Sequence, residues 1–283
     1  MTIHINYSPD SDDFFMFYPA LAGLIPTGDY RFSAMTLDTQ KLNDLASESN
    51  QTDVSAISLH AYAGLADRFL ILPHGASVGR NYGPVLIAGK PMTVADLAGK
   101  RIAIPGLKTT AWLILKLMVP DVQPVVVPIE PFYRIFDAIS SGEVDAGLVI
   151  HEGRLIYQER GFHLVADTGQ WWHQTYGLPL PLGVNVIRRG LGKKVIREVS
   201  AILKDSIRFS LDHRDAMIRK WVKEDPRGIQ ELADYNRVDD YLALYANADT
   251  ASMTSELKKA CQMVLDEGFK AGIIPKKVKI DWA

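Results

Sequence analysis

One cysteine in 283 residues cannot form an intramolecular disulfide, which excludes the disulfide-stapled secreted scaffolds. That residue, Cys261, sits in SELKKACQMVL at helical spacing, where a small core side chain is expected rather than a nucleophile. No Cys/His cluster has zinc-ligand spacing, so no metal is expected. Charge of one sign is also missing. With 31 Lys and Arg against 33 Asp and Glu, a net charge of -2 gives no reason to expect nucleic acid or an anionic membrane as partner. No run approaches the roughly 20 apolar residues of a membrane span. The opening MTIHINYSPDSDD lacks the basic and apolar regions of a secretory signal, so a cytoplasmic location is the expectation.

What is present fits a globular protein with a substantial core: 47% hydrophobic residues against 23% charged. The length accommodates two ordinary domains or one large one. The most informative stretch runs from Ala138 to Arg154, AISSGEVDAGLVIHEGR. A helix-like run ends at Ser141-Gly142, and Ala146 to Ile150 then reads as a short buried strand with His151 and Glu152 at its C-terminal end. Open α/β sheets place their chemistry at such ends. Imidazole exchanges protons near neutrality, and Glu152 stands beside it to orient or tune it. Read alone, the segment fits equally well a helix N-cap region with an incidental histidine.

Ile3 to Tyr7 alternates as a strand and runs through SPDSDD into the apolar helix FFMFYPALAGL. Capping explains one or two of those polar residues but not four. Carboxylates facing a pocket there, Asp12 among them, suit hydroxyl or amine recognition. The segment from Asp53 to His60 repeats the pattern of acid, strand and polar tip seen at Glu143 to His151, which suggests two similar lobes. Ile102 to Thr110 reads as strand, glycine turn and helix start, a seat for a carboxylate at Thr109 and Thr110. It lacks the glycine and lysine spacing of a phosphate loop, so no nucleotide cofactor is expected. Trp171 and Trp172, in GQWW near a loop, offer either flat surface for a ring or core packing.

From Gly192 onward the pattern is helical, over 193–211, 214–224, 227–235 and 254–271. Two crossings divide the chain into an outer lobe, residues 1–90 plus 185–283, and an inserted lobe, 91–184. The reading is a two-lobed α/β protein that closes on a small molecule.

The segments SPDSDDFFMFY, VSAISLHAYA, HGASVGRNYGP, IPGLKTTA, GEVDAGLVIHEGR and GQWWHQTYGLPLPLG, in that order, resemble the 1,4-dihydroxy-6-naphthoate synthase family of futalosine-route menaquinone biosynthesis. The resemblance covers roughly residues 3 to 190. It implies a type II periplasmic-binding-protein-like fold used as a cytoplasmic lyase with no metal or organic cofactor. The implied reaction converts cyclic dehypoxanthinylfutalosine to 1,4-dihydroxy-6-naphthoate and releases a three-carbon fragment. The family's proton-accepting histidine falls on His151, its paired threonines on Thr109 and Thr110, and its strand-tip serine on Ser58, preceded by Ala56 and Ile57. Two departures stand out. Ala56 occupies a position where members can carry lysine, leaving Arg80 as a substitute cation, and the first loop is SPDSDD where others have SPCPND. A non-catalytic solute-binding protein for a small carboxylate and the related chorismate dehydratase are the alternatives.

Overall fold

A computed structural model describes residues 1–49, 52–129, 133–225, 227–229 and 231–283. The chain builds β1 (Thr2–Tyr7), α1 (Ser11–Leu21), β2 (Arg31–Thr36), α2 (Thr39–Glu48), β3 (Val54–Ser58), the short α3 (Leu59–Tyr62), β4 (Phe69–Ile71) and β5 (Ser77–Gly79). It continues with β6 (Val85–Ala88), β7 (Arg101–Ile104), α4 (Thr110–Met118), β8 (Gln123–Val126), α5 (Arg134–Ser140), β9 (Ala146–Val149), α6 (Gly153–Ile156), β10 (His163–Asp167) and α7 (Thr168–Tyr176). The last part is β11 (Leu180–Arg188), α8 (Lys193–Asp212), α9 (Arg214–Glu224), α10 (Tyr235–Tyr245), α11 (Ala248–Ala251) and α12 (Ser255–Lys270).

Two sheets result. The first has the order β2-β1-β3-β11-β4, with β5 also paired to β11. The second has the order β10-β6-β9-β7-β8. In each, parallel strands are joined by strand-helix-strand units, β1 to β2 and β3 in one sheet and β7 to β8 and β9 in the other. A long antiparallel strand, β11, then closes the first sheet against β3. The pleat dictates the cores: β1 points Ile3 and Ile5 into a cluster with α1 and α8, and all four residues of β9 are buried as befits a central strand. Gly147 in that strand has a reason. A Cβ there would meet Ile135 and Ile139 side chains of α5 at 2.7 and 2.9 Å.

The crossings between sheets lie ahead of the boundaries read from sequence. The chain leaves the first sheet after Gly79 and returns at Leu180, whereas division at 90/91 and 184/185 was expected. Val85 to Ile87 pair with β9 and so belong to the second sheet, while Leu180 pairs with Gly79 and already belongs to the first. The helix expected over 227–235 is not seen among the described residues of that range; the helix α10 begins at Tyr235, capped by the Asp234 side chain, which accepts from Arg237 N. No helix among the described residues is long and apolar enough to cross a membrane.

Candidate active site

A cleft with about 780 Å³ of empty space, open to solvent, lies between the sheets. It is lined by residues that follow the C-terminal ends of the parallel strands: Ser8 after β1, Thr39 after β2, Ser58 at the tip of β3, Thr109 and Thr110 after β7, and His151 after β9. His151 has φ 55°, one of two non-glycine residues with positive φ among those described. That conformation costs about 1–2 kcal/mol in an L-residue and is characteristic of functional sites. It turns the chain sharply out of β9, and the imidazole meets two groups on the opposite lobe.

The first is Asp10, the N-cap residue of α1, whose Oδ2 lies 3.0 Å from His151 Nδ1. The second is Thr39, whose Oγ1 lies 3.0 Å from His151 Nε2. Burial alone would lower the His151 pKa, but the charge of Asp10 and its hydrogen bond, with Asp12 and Glu152 adding to them, raise it to about 9. Burial likewise works against ionisation of Asp10, yet His151 and then Arg227 hold that carboxyl at about 2. Arg227 donates from Nη1 to Asp10 Oδ1 at 3.0 Å and to Glu152 Oε2 at 2.9 Å, and its Nε donates to Asp225 Oδ1 at 2.9 Å. A buried guanidinium thus compensates three carboxylates by its fork geometry.

Glu152 acts on His151 through its charge, which helps to raise the imidazole pKa, so of the two expected roles, orienting and tuning, it has the second. Only 2% exposed and outside the cleft lining, it accepts from Ser11 Oγ at 2.9 Å and from Arg227, tying α1 to the segment after β9. The residue that orients the imidazole is Asp10.

The first loop carries two further carboxylates. Asp13 accepts from both the Ser8 backbone N–H and the Ser8 hydroxyl at 2.8 Å, but burial raises its pKa to about 6. Asp12 lines the cleft and accepts from Ser77 Oγ at 2.7 Å, while its Oδ1 has no hydrogen-bond partner among the described residues. Burial, then the charges of Asp13 and Asp10, push Asp12 up to about 8.

On the facing lobe, Thr109 caps α4: its hydroxyl donates to Gly106 O at 2.8 Å and accepts from Trp112 N at 3.2 Å. Thr110 Oγ1 donates to Leu182 O at 2.7 Å. Both hydroxyls are thus engaged within the protein, and the backbone N–H groups of Thr110 and Ala111 are left unpaired among the described residues. Unpaired N–H groups at a helix start can receive an anion. Across the cleft, Ser58 is held by Asn43, whose amide accepts from Ser58 N at 2.9 Å and donates to Ser58 Oγ at 3.1 Å. Ala56 and Ile57 line the same wall.

Three secondary candidates lie elsewhere. Arg80 is nearly half exposed and pairs with Asp249 at 2.6 Å and Glu256 at 3.2 Å, away from the cleft lining. Trp172 is completely buried, with Nε1 donating to Pro179 O at 3.1 Å, and Trp171 packs against the same core. Neither ring walls the cleft, because GQWW lies in a helix that turns it onto the first lobe's core. The cation that does line the cleft is Arg154, which pairs with Asp167 at 2.9 Å. Arg154 follows His151 by three residues, a spacing that brings it back to the same side of a helical turn. Thr39, Tyr241 and Tyr245 also line the cleft without having been singled out, though the i, i+4 tyrosines of α10 are a readable pair. No group of three or more His, Cys, Asp or Glu among the described residues is arranged to hold a metal ion.

A family model described as menaquinone biosynthesis matches residues 3–270. The 1,4-dihydroxy-6-naphthoate synthase of Streptomyces coelicolor is 34% identical over 277 residues, covering 97% of this chain and 95% of that protein. A crystal structure of a protein from Archaeoglobus fulgidus matches with a TM-score of 0.88 at 38% identity, over 96% of this chain and 98% of that one. The alkanesulfonate-binding protein SsuA of Xanthomonas axonopodis matches with a TM-score of 0.74 at 17% identity, over 100% and 98% of the two chains. That likeness concerns the fold, which is the two-lobed periplasmic-binding-protein type.

Proposed function

Since the chain belongs to the menaquinone biosynthesis family, we propose that it is a 1,4-dihydroxy-6-naphthoate synthase that breaks a carbon-carbon bond of cyclic dehypoxanthinylfutalosine, with His151 as proton acceptor. The observation that carries the residue assignment is the pairing of His151 with Asp10 across the cleft, at a backbone conformation that costs energy to maintain. A carboxylate on Nδ1 fixes the imidazole so that Nε2 is the basic nitrogen. Raised basicity has two sides. It makes the neutral imidazole a stronger acceptor, and it requires the ring to shed a proton before it can act.

The substrate's aromatic acid group sits at the start of α4, where the Thr110 and Ala111 N–H groups receive its carboxylate. Ser58 meets a hydroxyl from the opposite wall. The sugar-derived part then lies toward the first loop and His151. Removal of its hydroxyl proton lets the adjacent carbon-carbon bond break, and the bicyclic system gains aromaticity as the three-carbon fragment leaves. Closure of the lobes over the bound substrate keeps water from the developing charge. We place the reaction in the cytoplasm, the compartment that the resemblance implies.

The test is incubation of the pure protein with cyclic dehypoxanthinylfutalosine, following dihydroxynaphthoate by mass. Binding without product would leave a solute-binding protein in place of the lyase. Normal turnover by His151→Asn would remove the base assignment.

A further inference from the structure

We propose that Thr39 is the group through which His151 meets the substrate: a substrate hydroxyl gives its proton to Thr39 Oγ1 as the Thr39 proton passes to His151 Nε2. The inference rests on the reading of the cleft as the lyase site and assigns a residue that this reading leaves unused.

Both ring nitrogens of His151 are occupied. Nδ1 is 3.0 Å from Asp10 Oδ2 and Nε2 is 3.0 Å from Thr39 Oγ1. A proton from outside therefore reaches the ring through one of these two partners. Asp10 is 3% exposed and is not among the residues lining the cleft, whereas Thr39 is one of them. With Nδ1–H donated to Asp10, neutral imidazole presents Nε2 as acceptor, and the Thr39 O–H donates to it. The Thr39 oxygen then keeps a lone pair for a substrate O–H. Asp10, His151 and Thr39 form a carboxylate-imidazole-hydroxyl chain, the arrangement by which buried bases activate hydroxyl groups.

The threonine is held firmly. It is the first residue of α2, and its neighbour Asp38 accepts from Gln40 N at 2.8 Å within the helix and from Ile129 N at 3.0 Å on the second lobe. Gln40 Oε1 accepts from Lys108 N at 3.0 Å, a second tie between the lobes. The first turn of α2, which carries Thr39, is thus tied to the second lobe by two hydrogen bonds on either side of it.

The step balances. The substrate hydroxyl proton goes to Thr39 Oγ1, the Thr39 proton goes to His151 Nε2, and threonine is unchanged overall. The oxygen's electron pair becomes a carbonyl bond of the departing three-carbon fragment. Electrons of the broken carbon-carbon bond pass into the ring system and end on its oxygen, which recovers the proton from His151 back through Thr39 Oγ1.

The experiment compares wild type, Thr39→Val, Thr39→Ser and His151→Asn in single turnover of cyclic dehypoxanthinylfutalosine, with rates read in mixtures of light and heavy water. Thr39→Val should lower the rate about 10²-fold with KM held within about threefold. Thr39→Ser should recover most of the loss. The wild-type rate should bow downward with deuterium content, as two moving protons require, and become linear in Thr39→Val. A Thr39→Val rate within about twofold of wild type, or a linear dependence in the wild type, overturns the relay. If His151→Asn is inactive while Thr39→Val is unimpaired, the relay alone falls. If His151→Asn turns over normally, the base reading falls with it.

Discussion

Asp10 and His151 are 141 positions apart and stand on opposite lobes, yet Oδ2 and Nδ1 are 3.0 Å from each other. The pair makes the basicity of the imidazole depend on the two lobes being together: separated from Asp10, His151 loses the charge that raises its pKa.

Activity should accordingly depend on pH in a set direction. Because His151 must be neutral to accept a proton and its pKa is raised to about 9, kcat/KM should rise with pH and level off only above that value. Asp10→Asn removes the charge that raises it, so the limb should move down in pH while the plateau falls by about 10²-fold or more. A limb that stays in place in Asp10→Asn would show that another group is being titrated.

Asp12 supplies a prediction about stability. Its folded-state pKa of about 8 lies above the roughly 3.9 of an unfolded aspartate, so the native state holds the extra proton. The contribution of Asp12 to stability therefore declines as pH rises between those values. Asp12→Asn does not titrate, and its stability relative to wild type should grow by about 1–3 kcal/mol from about pH 5 to about pH 8. Urea denaturation of both proteins at the two pH values reads this; a constant difference contradicts it.

Arg227 compensates Asp10, Glu152 and Asp225 while only 10% of its side chain is exposed. Arg227→Met leaves buried carboxylates uncompensated and should cost about 3–5 kcal/mol. Arg227→Lys should recover little of it, since one ammonium cannot serve the several directions of the fork. Equal stability of the lysine variant and wild type would contradict the argument from geometry.

Trp172, completely buried beneath Pro179, should contribute to folding and not to recognition. Trp172→Phe should lower stability measurably without changing KM, and Trp172→Ala should cost about 3–5 kcal/mol. A raised KM in the folded phenylalanine variant would return the ring to the cleft wall.

The strands and helix starts that hold the cleft were legible because they obey local rules: alternation in β1, the apolar run of β9, and the glycine turn before the cap at Thr109. Helix α7 was also legible in retrospect. Asp167 caps it, accepting from Gly169 N and Gln170 N, and Gly177 ends it at φ 66°. Those two punctuation marks bracket GQWW as helix, whose packing buries Trp172 and half-buries Trp171. Asp10 was visible only as one of the acids of SPDSDD, and its partner is selected by the meeting of two lobes, which local spacing does not encode. The same holds for Thr39 and Arg227. Nothing near them in sequence distinguishes them from any helix start or surface arginine.

The cluster at Arg227 also sets an order in time. Asp10 is made early, His151 midway, and the arginine that compensates Asp10 and Glu152 only after both sheets have been synthesised. A nascent chain exposed as far as Arg188 has every strand of both sheets and two buried acids still without their guanidinium. Ribosome-held chains that end before residue 227 should therefore be inactive, and activity should appear only in longer chains that also carry the cleft tyrosines of α10 and the core residues of α12.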